Sequence, residues 1–166
     1  MKKHILIFTA LFAFGFASVQ AQSKISKNKL SISPEQNSIE ALLNSKNFEF
    51  IANTAYPTGG TSKNLVGSDY AIIFTPKMVK SHLPFYGRAY SGMNMSKDKG
   101  MRFSGKPQDF KIENNEKGYH VQTKVEEDND TFLISISVSN SGYATLTISS
   151  NNRGTISYYG EIISAK

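Results

Sequence analysis

Cysteine is absent from all 166 residues, which narrows the ways this chain can be held together. No disulfide can staple it, whatever compartment it occupies. No thiol is available as nucleophile or metal ligand. Histidine is scarce too, at three. His4 falls in an N-terminal leader, which leaves His82 and His120 far apart in sequence. Such a pair makes no zinc signature, and a serine–histidine–acid triad has little to draw on. No Gly-x-Ser-x-Gly elbow occurs. No catalytic or metal residue is therefore assigned, no cofactor is called for, and the expectation is a protein without enzymatic activity. Both histidines read as ordinary surface or hydrogen-bonding rings, with His120 facing outward. A basic helix or nucleic-acid module is also missing, which argues against nucleic acid as a partner.

No apolar run reaches the roughly 20 residues of a comfortable membrane span. The one nearly unbroken run, Ile5 to Ala17, follows Lys2, Lys3 and His4 and precedes Val19-Gln20-Ala21. A positive start, an apolar stretch and small residues at the end form the tripartite secretory pattern. Residues 1–21 are expected to be a signal peptide cleaved after Ala21, giving a soluble periplasmic or secreted protein. Without a cysteine at the new N-terminus, a lipoprotein anchor is excluded. Residues 22–32, with Lys24, Lys27 and Lys29 among Ser and Asn, read as a flexible leader. Residues 33–166 read as a single domain.

Losing Lys2 and Lys3 takes the 19 basic residues to 17 against 13 acidic, so the net charge falls from +6 to +4. That excess is modest. Arg88, Lys97, Lys99, Arg102 and Lys106 surround a glycine-rich loop and could favour anionic ligands or envelope surfaces. Solvated lysines that keep a small domain soluble are the plainer account.

One helix is predicted. Ser33 can cap it, Pro34 suits its first position, and Gln36 completes a Ser-x-x-Gln capping box. Ile39, Leu42 and Leu43 then form one apolar stripe, which Asn44 to Asn47 ends. Beyond Asn47 the periodicity is two. Phe48, Phe50 and Ala52 alternate with Glu49, Ile51 and Asn53. Similar alternation runs through Tyr70–Phe74, Tyr119–Val125, Phe132–Val138 and Ala144–Ile148, with Ile156, Tyr158 and Ile162 closing the series. Val79–Tyr86 is a further strand, and Met101–Phe103 resumes at Phe110–Ile112 after Gly105-Lys106-Pro107. Turn-forming clusters such as Asn140-Ser141-Gly142 and Asn151-Asn152-Arg153-Gly154 separate the strands. Helical crossovers, which a parallel sheet needs, are lacking. The pattern predicts an all-β domain with one N-terminal helix: an antiparallel up-and-down barrel of about eight strands. A two-sheet sandwich is the alternative.

Candidate sites are few. Thr58–Lys63 has the composition of a phosphate loop without its spacing or its following helix, and reads as a flexible connection. Glu126–Asp130 lacks the turn glycine and distal glutamate of a calcium loop, and reads as a solvated acidic hairpin tip. Phe85, Tyr86, Arg88, Tyr90 and Tyr158 remain. Inward aromatics of a small barrel either fill its centre or line one cavity. As a mouth, these five could bind a small, partly apolar ligand by stacking and charged hydrogen bonds. An envelope protein that recognises loops such as Gly92–Gly100 is the other partner considered, with the chain as an interaction or inhibitory module.

The same segments carry a resemblance. Phe50-Ile51-Ala52-Asn53-Thr54-Ala55-Tyr56-Pro57, Leu83-Pro84-Phe85-Tyr86-Gly87-Arg88-Ala89-Tyr90, Phe103-Ser104-Gly105 and Asn152-Arg153-Gly154-Thr155-Ile156-Ser157-Tyr158-Tyr159-Gly160 resemble the recurring pattern of domain of unknown function family 4251, small exported proteins of Gram-negative bacteria. The similarity spans about residues 35 to 164. It implies an exported, helix-capped β-barrel of lipocalin-like topology, with no catalytic or binding residues to carry over.

Overall fold

The computed structural model describes residues 34–90, 100–127 and 130–165. The expected signal peptide and leader, the Ser33 cap and most of the Gly92–Gly100 loop lie outside the described residues. Helix α1 spans Pro34–Ser45. It ends where expected, on Lys46 in the left-handed region at φ 54°. The Lys46 amide returns to the Leu43 carbonyl at 3.0 Å, which satisfies an otherwise orphaned helix-end acceptor. Leu43 is buried, and Ile39 and Leu42 pack beside it against the core. No helix among the described residues is long and apolar enough to cross a membrane.

The rest is antiparallel strand: β1 (Phe48–Pro57), β2 (Lys63–Asn64), β3 (Ala71–Phe74), β4 (Val79–Leu83), β5 (Met101–Gly105), β6 (Pro107–Asn115), β7 (Gly118–Glu127), β8 (Asp130–Ser139), β9 (Tyr143–Ser150) and β10 (Ile156–Ser164). Their spatial order is β5-β4-β3-β1-β10-β9-β8-β7-β6, with β2 attached to β1. One continuous sheet replaces the sandwich alternative. Its two ends, β5 and β6, are consecutive in the chain and separated only by Lys106, so one bent segment carries the sheet round to meet itself. Gly105 permits that corner: a Cβ there would stand 2.7 Å from Val125 Cγ1 and 2.9 Å from the Glu126 carbonyl oxygen. Phe103 stacks on Phe132 across the corner at 4.0 Å. The result is a nearly closed barrel of nine strands plus the small β2. The excess over the expected count comes from the break at Lys106 and from β2, which is too short for a periodicity signal.

Alternation decides what fills the interior. Phe48, Phe50, Ile72, Phe74, Leu83, Met101 and Tyr158 are fully buried, and Phe48 stacks on Phe74 at 4.6 Å. Each such side chain contributes about 1.5–3 kcal/mol by leaving water. The inward positions read from the sequence on β7, β8 and β9 are the buried ones. On β1 the parity slips after Ala52, because a bulge lies between Ala52 and Thr54, and Ala55 becomes the inward residue. Val79–Tyr86 proves shorter than expected, since Pro84 supplies no amide and the strand stops at Leu83.

Gly160 sits opposite Ala52 at that bulge. A Cβ on Gly160 would collide with the Ile51 carbonyl oxygen and lie 3.1 Å from the Phe50 ring. Backbone cannot yield as a flexible side chain does. Gly160→Ala is therefore expected to cost about 1–3 kcal/mol. Urea unfolding should show a lower midpoint at an unchanged slope; an unaltered midpoint would mean the β1–β10 seam has slack.

Candidate functional site

Beyond Leu83 the chain leaves the sheet and runs to the β9–β10 turn. The Gly154 amide donates to the Arg88 carbonyl and the Tyr90 amide to the Asn152 carbonyl, both at 2.9 Å, and Ala89 bridges to Arg153. At the near end, the Tyr158 hydroxyl donates to the Pro84 carbonyl at 2.5 Å. Pro84–Tyr90 is thus a strap fixed at both ends, on the side of the barrel where β4 and β9 finish and β10 begins. Phe85 is half-buried against the core. Tyr86 and Tyr90 are exposed at 43% and 69%, and Arg88 is exposed between them.

The five sequence-predicted site residues therefore divide. Tyr86, Arg88 and Tyr90 present themselves on the strap, Phe85 anchors it, and Tyr158 supports it from inside. Burial, then the nearby Tyr86 phenol, push the Tyr158 hydroxyl far above its ordinary range. Tyr86 is raised as well, first by burial and then by Tyr70. Tyr70 in turn stacks on His82 at 5.7 Å, which brings an aromatic cluster to the same rim.

Sequence reasoning missed what holds the turn under the strap. Asp130 does not sit in a solvated acidic tip. Its carboxylate accepts from Arg153 Nη1 at 3.4 Å, from Ser150 Oγ at 2.7 Å and from the Asn151 amide at 3.0 Å. Both ion-pair side chains are only 11% exposed. The physical reason is register: β8 begins at Asp130, beside the end of β9, where Phe132 pairs with Ser150. Only the proximity of acidic and basic turns in a meander could have signalled it. Thr58–Lys63, expected to be a flexible connection, ends in β2, whose Lys63 and Asn64 pair with Ala55 and Thr54.

The family model for Domain of unknown function (DUF4251) matches residues 17–162. The chain belongs to that family. A crystal structure of a DUF4251 family protein from Bacteroides eggerthii DSM 20697, at 1.95 Å resolution, is similar to it with a TM-score of 0.61. The two are 18% identical over 78% of this chain and 87% of that one, so the likeness concerns the fold. None of the curated proteins compared matches.

In this DUF4251 chain the two histidines play separate parts. His82 is exposed on β4 and stacked on Tyr70. His120 faces outward on β7, where Ser137 Oγ lies 3.3 Å from Nδ1 and Gln122 Nε2 lies 3.0 Å from Nε2. Among the described residues, no group of three or more His, Asp or Glu side chains is placed to hold a metal ion.

Tyr158→Phe removes the hydroxyl and leaves the Pro84 carbonyl unpaired, an expected loss of about 1–2 kcal/mol in unfolding free energy. The buried phenol also makes a signed pH prediction. Its folded value lies above the unfolded value of about 10, so its stabilising contribution is complete below about pH 10 and is lost as the pH rises beyond it. Ultraviolet titration should show folded wild type and Tyr158→Phe ionising alike up to about pH 11, while the urea midpoint falls faster with pH in the wild type from about pH 10 upward. An extra tyrosine ionising near pH 10 in the folded wild type would contradict the burial argument.

Proposed function

We propose that this chain is an exported, non-enzymatic barrel protein that binds a small, partly apolar ligand on the strap rim. The observation that carries the reading is a strap fixed at both ends that still leaves Tyr86, Arg88 and Tyr90 in water. Exposed aromatics at alternating positions cost solubility and contribute nothing to the core. Their rings offer flat apolar surface with a polar tip, and the guanidinium between them offers forked, charge-assisted hydrogen bonds to an anionic group. Large side chains occupy the interior, so the ligand lies over the rim rather than inside the barrel. Fixing the strap in advance reduces the ordering cost of binding. The leader Lys2–Ala21 supports export, and the thin stock of acid–base groups supports a binding role over catalysis. Tyr and Arg are also the side chains that most often anchor protein interfaces, which favours an envelope protein as the second reading.

One experiment addresses these together. Protein recovered from its own host and examined by native mass spectrometry should have the mass of Gln22–Lys166 plus a retained small molecule. Arg88→Ala should lose most of that adduct without changing the unfolding midpoint. Protein that is always empty, while crosslinking in the intact envelope captures one stable protein through Tyr86 or Tyr90, would replace the first reading with the second. A retained Met1–Ala21 would defeat export.

A further inference from the structure

The outer face of β7–β10 has a composition that the barrel does not require. One row of cross-strand neighbours runs His120, Ser137, Thr145 and Tyr159; the next runs Gln122, Ser135, Thr147 and Ser157. Neither row contains an Asp, Glu, Lys or Arg. A surface built for solubility carries roughly 25–35% charged residues. Charge returns at the borders: Glu113 and Lys111 on β6 pair with His120 and Gln122, and Asp109, Lys117, Lys124 and Glu161 lie around the rest. The small hydroxyl residues lie between larger neighbours, and the face is hollowed there. One depression of about 550 Å³ takes in His120, Ser137, Thr145, Tyr143 and Tyr159. A second, of about 350 Å³, adjoins it along Gln122, Ser135 and Thr147, and is also lined by Asp109, Lys111 and Lys124.

From this face we infer a second binding site, for a neutral oligosaccharide. Hydroxyl side chains both donate and accept, so they match a ligand made of hydroxyls. They are already oriented: Thr147 Oγ1 and Ser157 Oγ lie 2.9 Å apart, and His120 is held by Gln122 and Ser137. The Tyr143 and Tyr159 rings are parallel within 9° at 6.2 Å. They are exposed at 53% and 40%, leaving ring surface for the C–H face of a sugar. The bordering charges balance, Lys111, Lys117 and Lys124 against Asp109, Glu113 and Glu161, so the face offers phosphate or an acidic polymer no net attraction. Strands about 4.8 Å apart make a four-strand row roughly 14 Å long, the reach of a short oligosaccharide rather than a single ring. The site lies on the barrel wall and is independent of the strap rim.

The test uses the 22–166 protein labelled with nitrogen-15 and four neutral probes: maltohexaose, cellohexaose, xylohexaose and mannohexaose. At least one should give saturable amide shifts centred on β7–β10. Tyr159→Ala and Thr145→Lys, both at exposed positions, should each weaken it at least tenfold while the circular dichroism spectrum is preserved. Arg88→Ala should leave it unchanged, which keeps this result separate from the rim. The inference is overturned if no probe shifts these strands at several millimolar, or if both face variants bind normally. It is equally overturned if an acidic hexasaccharide binds as tightly, or if Thr145→Lys only converts a dimer to a monomer, since the face would then belong to a second copy.

Discussion

Everything in this fold depends on the pairing of its first strand with its last. Every other neighbouring pair in the wall is local, joined by a turn or a loop. β1 and β10 are separated by nearly the whole domain, and their register runs from Phe48↔Ser164 to Pro57↔Ile156. A meander without that pair is an open, twisted ribbon with an apolar face in water. With it, the inward residues of β3–β5 face those of β7–β9 and the core closes. Such a long-range pairing brings its entropic cost forward, because a large loop must close before the contacts reward it. The seam also constrains the backbone: the bulge after Ala52 bends β1, and Gly160 allows the close approach opposite.

The seam explains what the sequence could and could not disclose. Alternation on β7, β8 and β9 is a local property, since one face is buried along the whole length of each strand, and the inward residues follow from parity alone. The helix was legible for a similar reason: its stripe and its end signals lie within a dozen residues. The bulge was not. A single extra residue changes parity for everything after it, and nothing in Asn53-Thr54-Ala55 announces which residue is extra. Closure at Gly105–Pro107 was visible as an interruption, but an interruption does not say that the two halves pair with opposite ends of one sheet.

The strap shows the same limit in chemical form. Phe85, Tyr86, Arg88, Tyr90 and Tyr158 stand out by composition, and composition cannot assign a side chain to core or solvent. Pro84 decides it, because once the strand ends there, no sheet partner fixes the parity of Phe85 to Arg88. Tyr158 has a partner on each side, Ala55 and Leu146, and is therefore inward and fully buried. Asp130 and Arg153 escape a sequence reading because each sits in a turn that looks like ordinary solvated punctuation. Their meeting is a consequence of register, and a nearly dry carboxylate–guanidinium contact carries much stronger consequences than two exposed charges.

The interior and the rim are consequently one mechanical unit. The Tyr158 ring belongs to the core, yet its hydroxyl ends on Pro84 at the root of the strap. At the other end, the Asp130 carboxylate orients Ser150, Asn151 and Arg153, and the turn they form supplies the Asn152 carbonyl and Gly154 amide that hold Tyr90 and Arg88. Loosening the core at Tyr158 or the turn at Asp130 would move the same exposed side chains. The wall at Tyr143 and Tyr159 is placed by the strands themselves, and strand positions are held more tightly than loop positions. A rim that follows the core and the turn, and a wall that follows the sheet, are thus two surfaces positioned by different parts of the fold.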